Sequence, residues 1–262
     1  MTRFARRHLT NKWSKTKAIL RDPGVRGWVP ETRLLSFPAL RAMLGRYGMV
    51  YVKPVSGTYG RGVMRVEAHR NVYTYQIEQT KRSFSTIEGL YRSLLRHKNK
   101  RRYLVQRGIR LLKYKGRRFD IRVMVQRNPR GSWETTGTIG RVAQPGKIVT
   151  NFHSGGKPTA LRTLLAPLAS GPIRARIERR VASVGYAAAI ALYRVYPRVN
   201  MVGADIGLDS GFRPWIIELN TSPDPYLFRF LKDKRVHRKV LRYARALGRI
   251  PPAAARKRSR RR

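Results

Sequence analysis

Three oxygen-bearing side chains sit close together near the C-terminal end of a chain that is otherwise overwhelmingly basic: Asp205, Glu218 and Asn220. The runs Val202–Asp209 and Arg213–Asn220 flank Ser210-Gly211 and are predicted to form a hairpin. Glu218 and Asn220 are then two residues apart on one strand and share a face. Asp205 lies opposite or diagonal on the partner strand. Such a set suits a hard divalent cation. Magnesium takes one or two carboxylates and completes its shell with water and phosphate oxygens. An ordinary solvated hairpin face is the competing reading.

Further candidates lie upstream. Lys53 ends an apolar run, Met49–Pro54, that reads as a strand, and Ser56-Gly57-Thr58-Tyr59-Gly60-Arg61-Gly62 follows. Glycines let backbone N–H groups close on an anion. A lysine beside them adds a point charge for phosphate. No Gly-Lys-Ser/Thr closes the loop, and a strand rather than a helix follows it, so neither the Walker nor the Rossmann pattern applies. A plain turn is the alternative. On a strand, Asp120 and Arg122 project to one face and Ile121 and Val123 to the other. Arg122 suits bidentate recognition of phosphate or carboxylate, or an internal Asp–Arg pair. Asn151, His153 and Lys157 flank Gly155-Gly156 in a loop suited to an anion or metal, with an ordinary loop histidine as the other reading.

The elements expected to position these groups are a helix over 11–21, a helix capped by Ser36 and running to Tyr47, and strands over 49–54, 63–67 and 71–78. A helix over 85–97 and a strand over 103–106 complete a first block. The second block holds strands over 119–127 and 133–142 and a short strand over 149–153. A long helix over 172–195, the 202–220 hairpin and a basic helix over 226–247 follow.

Composition narrows the class. The 262 residues carry 58 Lys+Arg against 13 Asp+Glu, a formal charge of +45, and no cysteine. Thiolate metal sites and cysteine nucleophiles are excluded. The charge favours polyanionic partners: nucleic acid, an anionic polymer, an acidic membrane surface or acidic substrates. The N-terminus is basic without an apolar stretch behind it, and no run is long enough to span a bilayer. A cytoplasmic protein is the expectation.

The order of the motifs carries more than any one of them. Lys-Pro-Val-x-Gly-x-x-Gly-x-Gly is followed by Gln-x-Gly-Ile and Phe-Asp-x-Arg-Val. Thr-Asn-x-x-x-Gly-Gly and Gly-x-Asp-x-Gly-x-Asp…Trp-x-x-Glu-x-Asn-x-x-Pro complete the series. From about Trp13 to Leu247 this resembles the ATP-grasp superfamily, and more closely its YheC/YheD-like group, described as spore-coat-associated proteins of endospore-forming bacteria. The resemblance implies an α+β fold of two lobes whose antiparallel sheets grip ATP between them. The chain is expected to divide into a basic N-terminal segment, 1–29, a smaller flap-bearing lobe, 30–107, a larger lobe with the metal site, 108–247, and a basic disordered tail, 248–262.

By the same resemblance, Lys53 contacts phosphate under the flap that includes Ser56, Gly57, Gly60 and Gly62. The Gln106–Ile109 segment reads the adenine edge through the Arg107 carbonyl and the Ile109 N–H. Arg122 stabilises the transferred phosphoryl group. Asn151 and His153 lie near the γ-phosphate. Asp205, Glu218 and Asn220 hold magnesium, with Glu218 bridging two ions. The implied activity is ATP-dependent ligation of a carboxylate to an amine through an acyl phosphate. The alternatives are a non-catalytic coat protein on the same scaffold and a non-specific polyanion binder. The pattern departs from its relatives at Ser154, where arginine is common, at Arg107, where an acid is common, and at Asp224, where glycine is usual. Only 30–45 residues precede the flap lobe, so the substrate side is expected to be incomplete or supplied by another chain.

Overall fold

The computed structural model describes residues 9–70, 72–98 and 101–252. Asn71 and most of the basic tail, including Arg256–Arg262, lie outside the described residues.

Two antiparallel sheets, each backed by helices, make up the molecule. At the N-terminus, α1 (Lys12–Leu20) is capped by the Asn11 side chain, and α2 (Pro23–Arg26) by Asp22. The first sheet has the order β1-β6-β2-β3-β4-β5. Its strands are β1 (Thr32–Leu34), β2 (Met49–Pro54), β3 (Met64–His69), β4 (Val72–Ile77), β5 (Thr80–Phe84) and β6 (Tyr103–Arg107). Two helices, α3 (Phe37–Tyr47) and α4 (Ile87–Lys98), cover one face. Ser36 caps α3 by accepting from the Ala39 N–H, and Gly48, at φ 66°, ends it in the left-handed region glycine tolerates. Leu40, Met43, Leu44, Leu90 and Leu94 pack on Val50, Val52, Val66 and Val105. Burying side chains of this size contributes about 1.5–3 kcal/mol each.

The second sheet runs β10-β9-β8-β11-β12, with β7 (Lys113–Tyr114) paired to an end of β8. Its long central strands are β8 (Arg117–Arg127), β9 (Trp133–Val142), β11 (Met201–Leu208) and β12 (Pro214–Asn220), with β10 (Lys157–Thr159) at the edge. One face is covered by α5 (Leu161–Leu165), α6 (Gly171–Val195) and the N-terminal α1 and α2. Along α6, Ile177, Val181, Val184, Ala188 and Leu192 recur at helical spacing and pack on Ile121, Val123, Val202 and Ala204. Gly185 lets α6 come close: a Cβ there would lie 2.6 Å from Val123. Ala18, Ile19, Val25 and Val29 join this core, so the N-terminal helices are part of the larger lobe's packing. The other face carries α7 (Lys234–Ala246) at one end and the cleft at the other.

Two expectations need correction. No strand forms over 149–153. There the Asn151 carbonyl accepts from both Ser154 and Gly156, which curls the chain through a single 3-10 turn, Phe152–Ser154. The strand follows the glycines, as β10. The basic helix over 226–247 is two pieces. Asp224 caps a 3-10 helix, Pro225–Phe230, the chain extends at Leu231, and Asp233 caps α7 afresh. The side chains of both aspartates accept backbone N–H bonds and so favour starting a new turn over continuing an old one.

Candidate nucleotide and metal cleft

The two sheets face each other across a cleft of about 300 Å³, at the lower end of the range for small-molecule sites. Lys53, Gly57, Gly60, Gln106, Arg107, Ile109, Arg122, Asn151, His153, Asp205, Glu218 and Asn220 all line it. Ser56 and Gly62 do not. Ser56 is exposed, and a Cβ on Gly62 would lie 2.8 Å from the Tyr103 hydroxyl, away from the cavity.

On the first-sheet side, Lys53 is the penultimate residue of β2, and its ammonium is buried. It donates to the Gln106 Oε1 at 2.8 Å and to the Ile217 carbonyl at 3.1 Å. Gln106 in turn donates to the Thr32 hydroxyl at 2.9 Å, so a chain of neutral groups fixes the lysine. Burial, with Lys12 and Lys15 nearby and only partly offset by Glu218, lowers its pKa to about 8. A buried ammonium held by neutral acceptors is poised for an anion. Beyond it the backbone turns. Arg107 and Gly108 donate to Glu31 and Met49, and no hydrogen-bond partner for the Ile109 N–H is found among the described residues. The Arg107 guanidinium stacks between Trp215, at 4.6 Å, and Tyr47, at 5.0 Å.

The glycine loop is closed onto the second lobe. Ser154 Oγ donates to the Tyr59 carbonyl at 2.6 Å, and the Tyr59 and His153 rings lie 4.3 Å apart. A Cβ on Gly60 would sit 3.0 Å from Asn151 Oδ1, and Gly60 (φ 72°) adopts the backbone that such close approach requires. Asn151 and His153 thus meet the flap directly.

On the second-sheet side the cross-strand register settles the neighbours. Asp205 pairs with Arg122 on one side and with Glu218 on the other, and Asp120 pairs with Arg141. The result is a buried network. Arg122 grips Asp205 through Nε–Oδ1 at 2.6 Å and Nη2–Oδ2 at 3.2 Å. Arg141 grips Asp120 and reaches Asp205 Oδ2 at 3.0 Å. Burial alone would raise the Asp205 pKa, but the two guanidinium groups more than offset it and hold the carboxyl below the usual range.

Glu218 is more open. Its nearest cation is Lys12 of α1, at 3.4 Å, and that ammonium also donates to the Gly57 carbonyl of the flap at 2.6 Å. Asn220 Nδ2 lies 3.2 Å from Asp205 Oδ2, and turning the amide presents Oδ1 to the same point; Glu218 is the cross-strand partner of Asp205 and also lines the cleft. Among the described residues there is no group of three or more His, Cys, Asp or Glu that would cage a metal. Two carboxylates and an amide oxygen nevertheless suit magnesium, which keeps positions for water and phosphate.

Sequence reasoning missed Lys12, Lys15 and Arg141. The first two share the buried face of α1 with Ile19, at positions i, i+3 and i+7. Charged residues at core-facing spacing were the available signal. Burial, more than the opposing pull of Glu218, lowers the Lys15 pKa.

Comparison with known proteins bears on this geometry. A family model described as YheC/D-like ATP-grasp matches residues 1–247. Endospore coat-associated protein YheD of Bacillus subtilis (strain 168) is 23% identical over 225 residues, 83% of this chain and 49% of that protein. Endospore coat-associated protein YheC of the same organism is 24% identical over 230 residues, 85% and 62% respectively. The chain therefore spans about half to three-fifths of these relatives' length. Among solved structures, D-cycloserine synthetase DcsG aligns with a TM-score of 0.54 at 16% identity, over 91% of this chain and 69% of that one. Carboxyaminoimidazole ribonucleotide synthase from Aspergillus clavatus, complexed with ATP, aligns at 0.56 and 14% identity, over 93% and 53%. At these identities the structural likeness establishes the fold.

Proposed function

The chain belongs to the YheC/D-like ATP-grasp family, and from that premise we propose that it binds ATP with magnesium in this cleft and joins a carboxylate to an amine. One observation carries the reading. Lys53 from one sheet and Arg122, Asp205, Glu218 and Asn220 from the other line a single cavity beneath a glycine loop.

Asp205, Glu218 and Asn220 would hold magnesium, and the metal would neutralise charge on the phosphate oxygens. Lys53 supplies a cation whose partners are neutral, so a phosphate adds attraction without displacing a carboxylate. The flap amides, and Arg122 beside Asp205, would stabilise charge on the phosphoryl group being transferred. The Arg107 carbonyl and Ile109 N–H offer an acceptor and a donor to a purine edge. A substrate carboxylate oxygen attacks the γ-phosphorus and ADP leaves. The amine nitrogen then attacks the acyl carbon, phosphate departs, and the amine proton goes to phosphate or solvent. No protein nucleophile is needed.

Binding without turnover, on a coat-associated scaffold, is the second reading. It is favoured by the saturation of Asp205, whose oxygens already meet two guanidinium groups. Coat association itself is proposed from the names of the two curated relatives. No described helix is long and apolar enough to cross a membrane.

The test is thermal unfolding with ATP and magnesium. Ligand at 100 times its dissociation constant adds about 2.7 kcal/mol. A shift in wild type that is lost in the Glu218→Ala/Asn220→Ala double variant supports the proposal, and equal shifts in both sink it. ADP release that stays the same with and without carboxylate and amine candidates favours the second reading.

A further inference from the structure

We infer that the outer face of α7 is a docking track for a carboxylate-rich polypeptide, leading it toward the cleft. This deepens the ligase reading by naming the chemistry of its substrate, and it rests on that reading for the link to catalysis.

Lys234, Arg238, Arg242 and Arg245 recur at i, i+4, i+8 and i+11 and form one stripe. Val240, Tyr243 and Ala244 bury the opposite side. Lys234, Arg238 and Arg242 are exposed, and Arg245 is half-buried. None of the four has a carboxylate at ion-pair distance among the described residues. The ion pairs of this helix belong to Arg235 with Asp233 and Lys239 with Glu134, off the stripe. Two of them act on a common neighbour: burial lowers the His237 pKa most, and Lys234 and Arg245, together with Arg229, push it down further, whereas Arg238 is near enough to Asp233 to help lower its pKa. Mutual repulsion of this kind is relieved by an anionic partner.

Placement ties the stripe to the cleft. Asp224 and Leu227 line the cavity, and α7 begins a few residues later. Gln126 of β8 donates to the Val240 carbonyl in mid-helix, while Arg122 of the same strand lies in the cleft. Four strand residues separate them by about 13 Å. The helix therefore starts near the cavity and runs outward on the same face of the sheet. Tyr226 and Phe230 are exposed between the two and offer apolar contacts on the way.

Spacing selects the occupant. Cations four residues apart on a helix are separated by about 6 Å along its axis. Alternate side chains of an extended peptide are separated by about 6.6 Å. Acidic residues at alternate positions meet successive cations, and a carboxylate is the group the proposed chemistry consumes.

The test uses the full chain without nucleotide and a fluorescein-labelled oligoglutamate, followed by anisotropy at about 0.1 M salt. The variant Lys234→Gln/Arg238→Gln/Arg242→Gln is compared with Arg176→Gln/Arg179→Gln/Arg180→Gln on α6, which removes the same charge from the opposite face of the sheet. Thermal melts check that both fold. The expected result is an affinity loss of about tenfold for the α7 variant and less than about threefold for the α6 variant. Equal losses overturn the proposal, because they mark binding to net charge alone. So does an oligonucleotide of equal charge that binds more tightly with the same α7 dependence, because the track is then a nucleic-acid surface. No step here needs ATP, so a failed nucleotide site and a failed track are told apart.

Discussion

Asp205 and Glu218 stand directly opposite each other on β11 and β12, yet their surroundings differ completely. Asp205 is only 4% exposed and lies in an arginine-bound floor with Asp120. Glu218 is at a rim, touched by one lysine from a different helix. In the floor, guanidinium forks match carboxylates bidentately and hold strands β8, β9 and β11 in register. The rim joins three separate parts of the chain through Lys12: α1, the flap carbonyl of Gly57 and Glu218. One pair of facing acids thus serves two purposes. The Asp120–Arg141 and Asp205–Arg122 pairs preset the strand register, while Glu218 at the rim and the single Arg141–Asp205 contact are where a ligand can change the geometry.

Breaking the floor has the largest expected effect. Arg141→Leu leaves Asp120 buried without its partner and should cost about 3–5 kcal/mol of stability, read by denaturant unfolding. A cost below about 1 kcal/mol would mean that the network does not organise the sheet. Lys53, buried on the facing lobe, should behave in the opposite sense. Its folded pKa of about 8 lies below the unfolded value of 10.5. The penalty for burying its charge is therefore complete below pH 8 and fades as pH rises toward 10.5. That difference corresponds to roughly 3 kcal/mol. Lys53→Met strands Gln106 and Ile217, which offsets part of this. The net expectation at pH 7 is a variant stabilised by about 1–2 kcal/mol that no longer responds to ATP. In wild type, ATP affinity should weaken as pH rises through 8, because phosphate favours the charged lysine. Titration calorimetry across that range, with Lys53→Arg as the pH-insensitive control, checks it.

The rim predicts smaller changes in stability. Lys12→Met should alter unfolding by about 1 kcal/mol or less, since Glu218 stays partly hydrated. It should tighten magnesium binding about threefold or more by removing a competing cation. Weaker magnesium binding would show that Lys12 assists the metal site.

How far these contrasts were legible from sequence depends on the residue. Glu218 and Asn220 were readable because strand alternation fixes a shared face, and Ser210-Gly211 marks the turn that brings Asp205 opposite. The flap and β2 were readable from Pro54 and the glycines. The floor was only half visible. Asp120 and Arg122 suggested either an internal pair or a ligand contact, and the actual partner of Asp120, Arg141, lies on another strand whose register no local pattern reveals. Strand β5 carries Lys81, Arg82 and Ser83 exposed in succession and gives no alternation to read. Strand β1 has only three residues. Lys12 and Lys15 were lost in a generally basic segment, because burial is decided by how α1 docks on β12 and α6. The strand expected over 149–153 failed where the Asn151 carbonyl captured the N–H groups of Ser154 and Gly156, a local curl that the glycines just beyond the segment allow: Gly155 lies at φ 86°, and a Cβ on Gly156 would clash with the Thr150 carbonyl.

The most direct measurement is a crystal structure with a non-hydrolysable ATP analogue and manganese in place of magnesium. The account predicts an anomalous peak among Asp205, Glu218 and Asn220, with the terminal phosphate at Lys53 and Asp205 drawn away from Arg141. Manganese absent from that point, with Asp205 still held between Arg122 and Arg141 and the nucleotide outside the cleft, would contradict it.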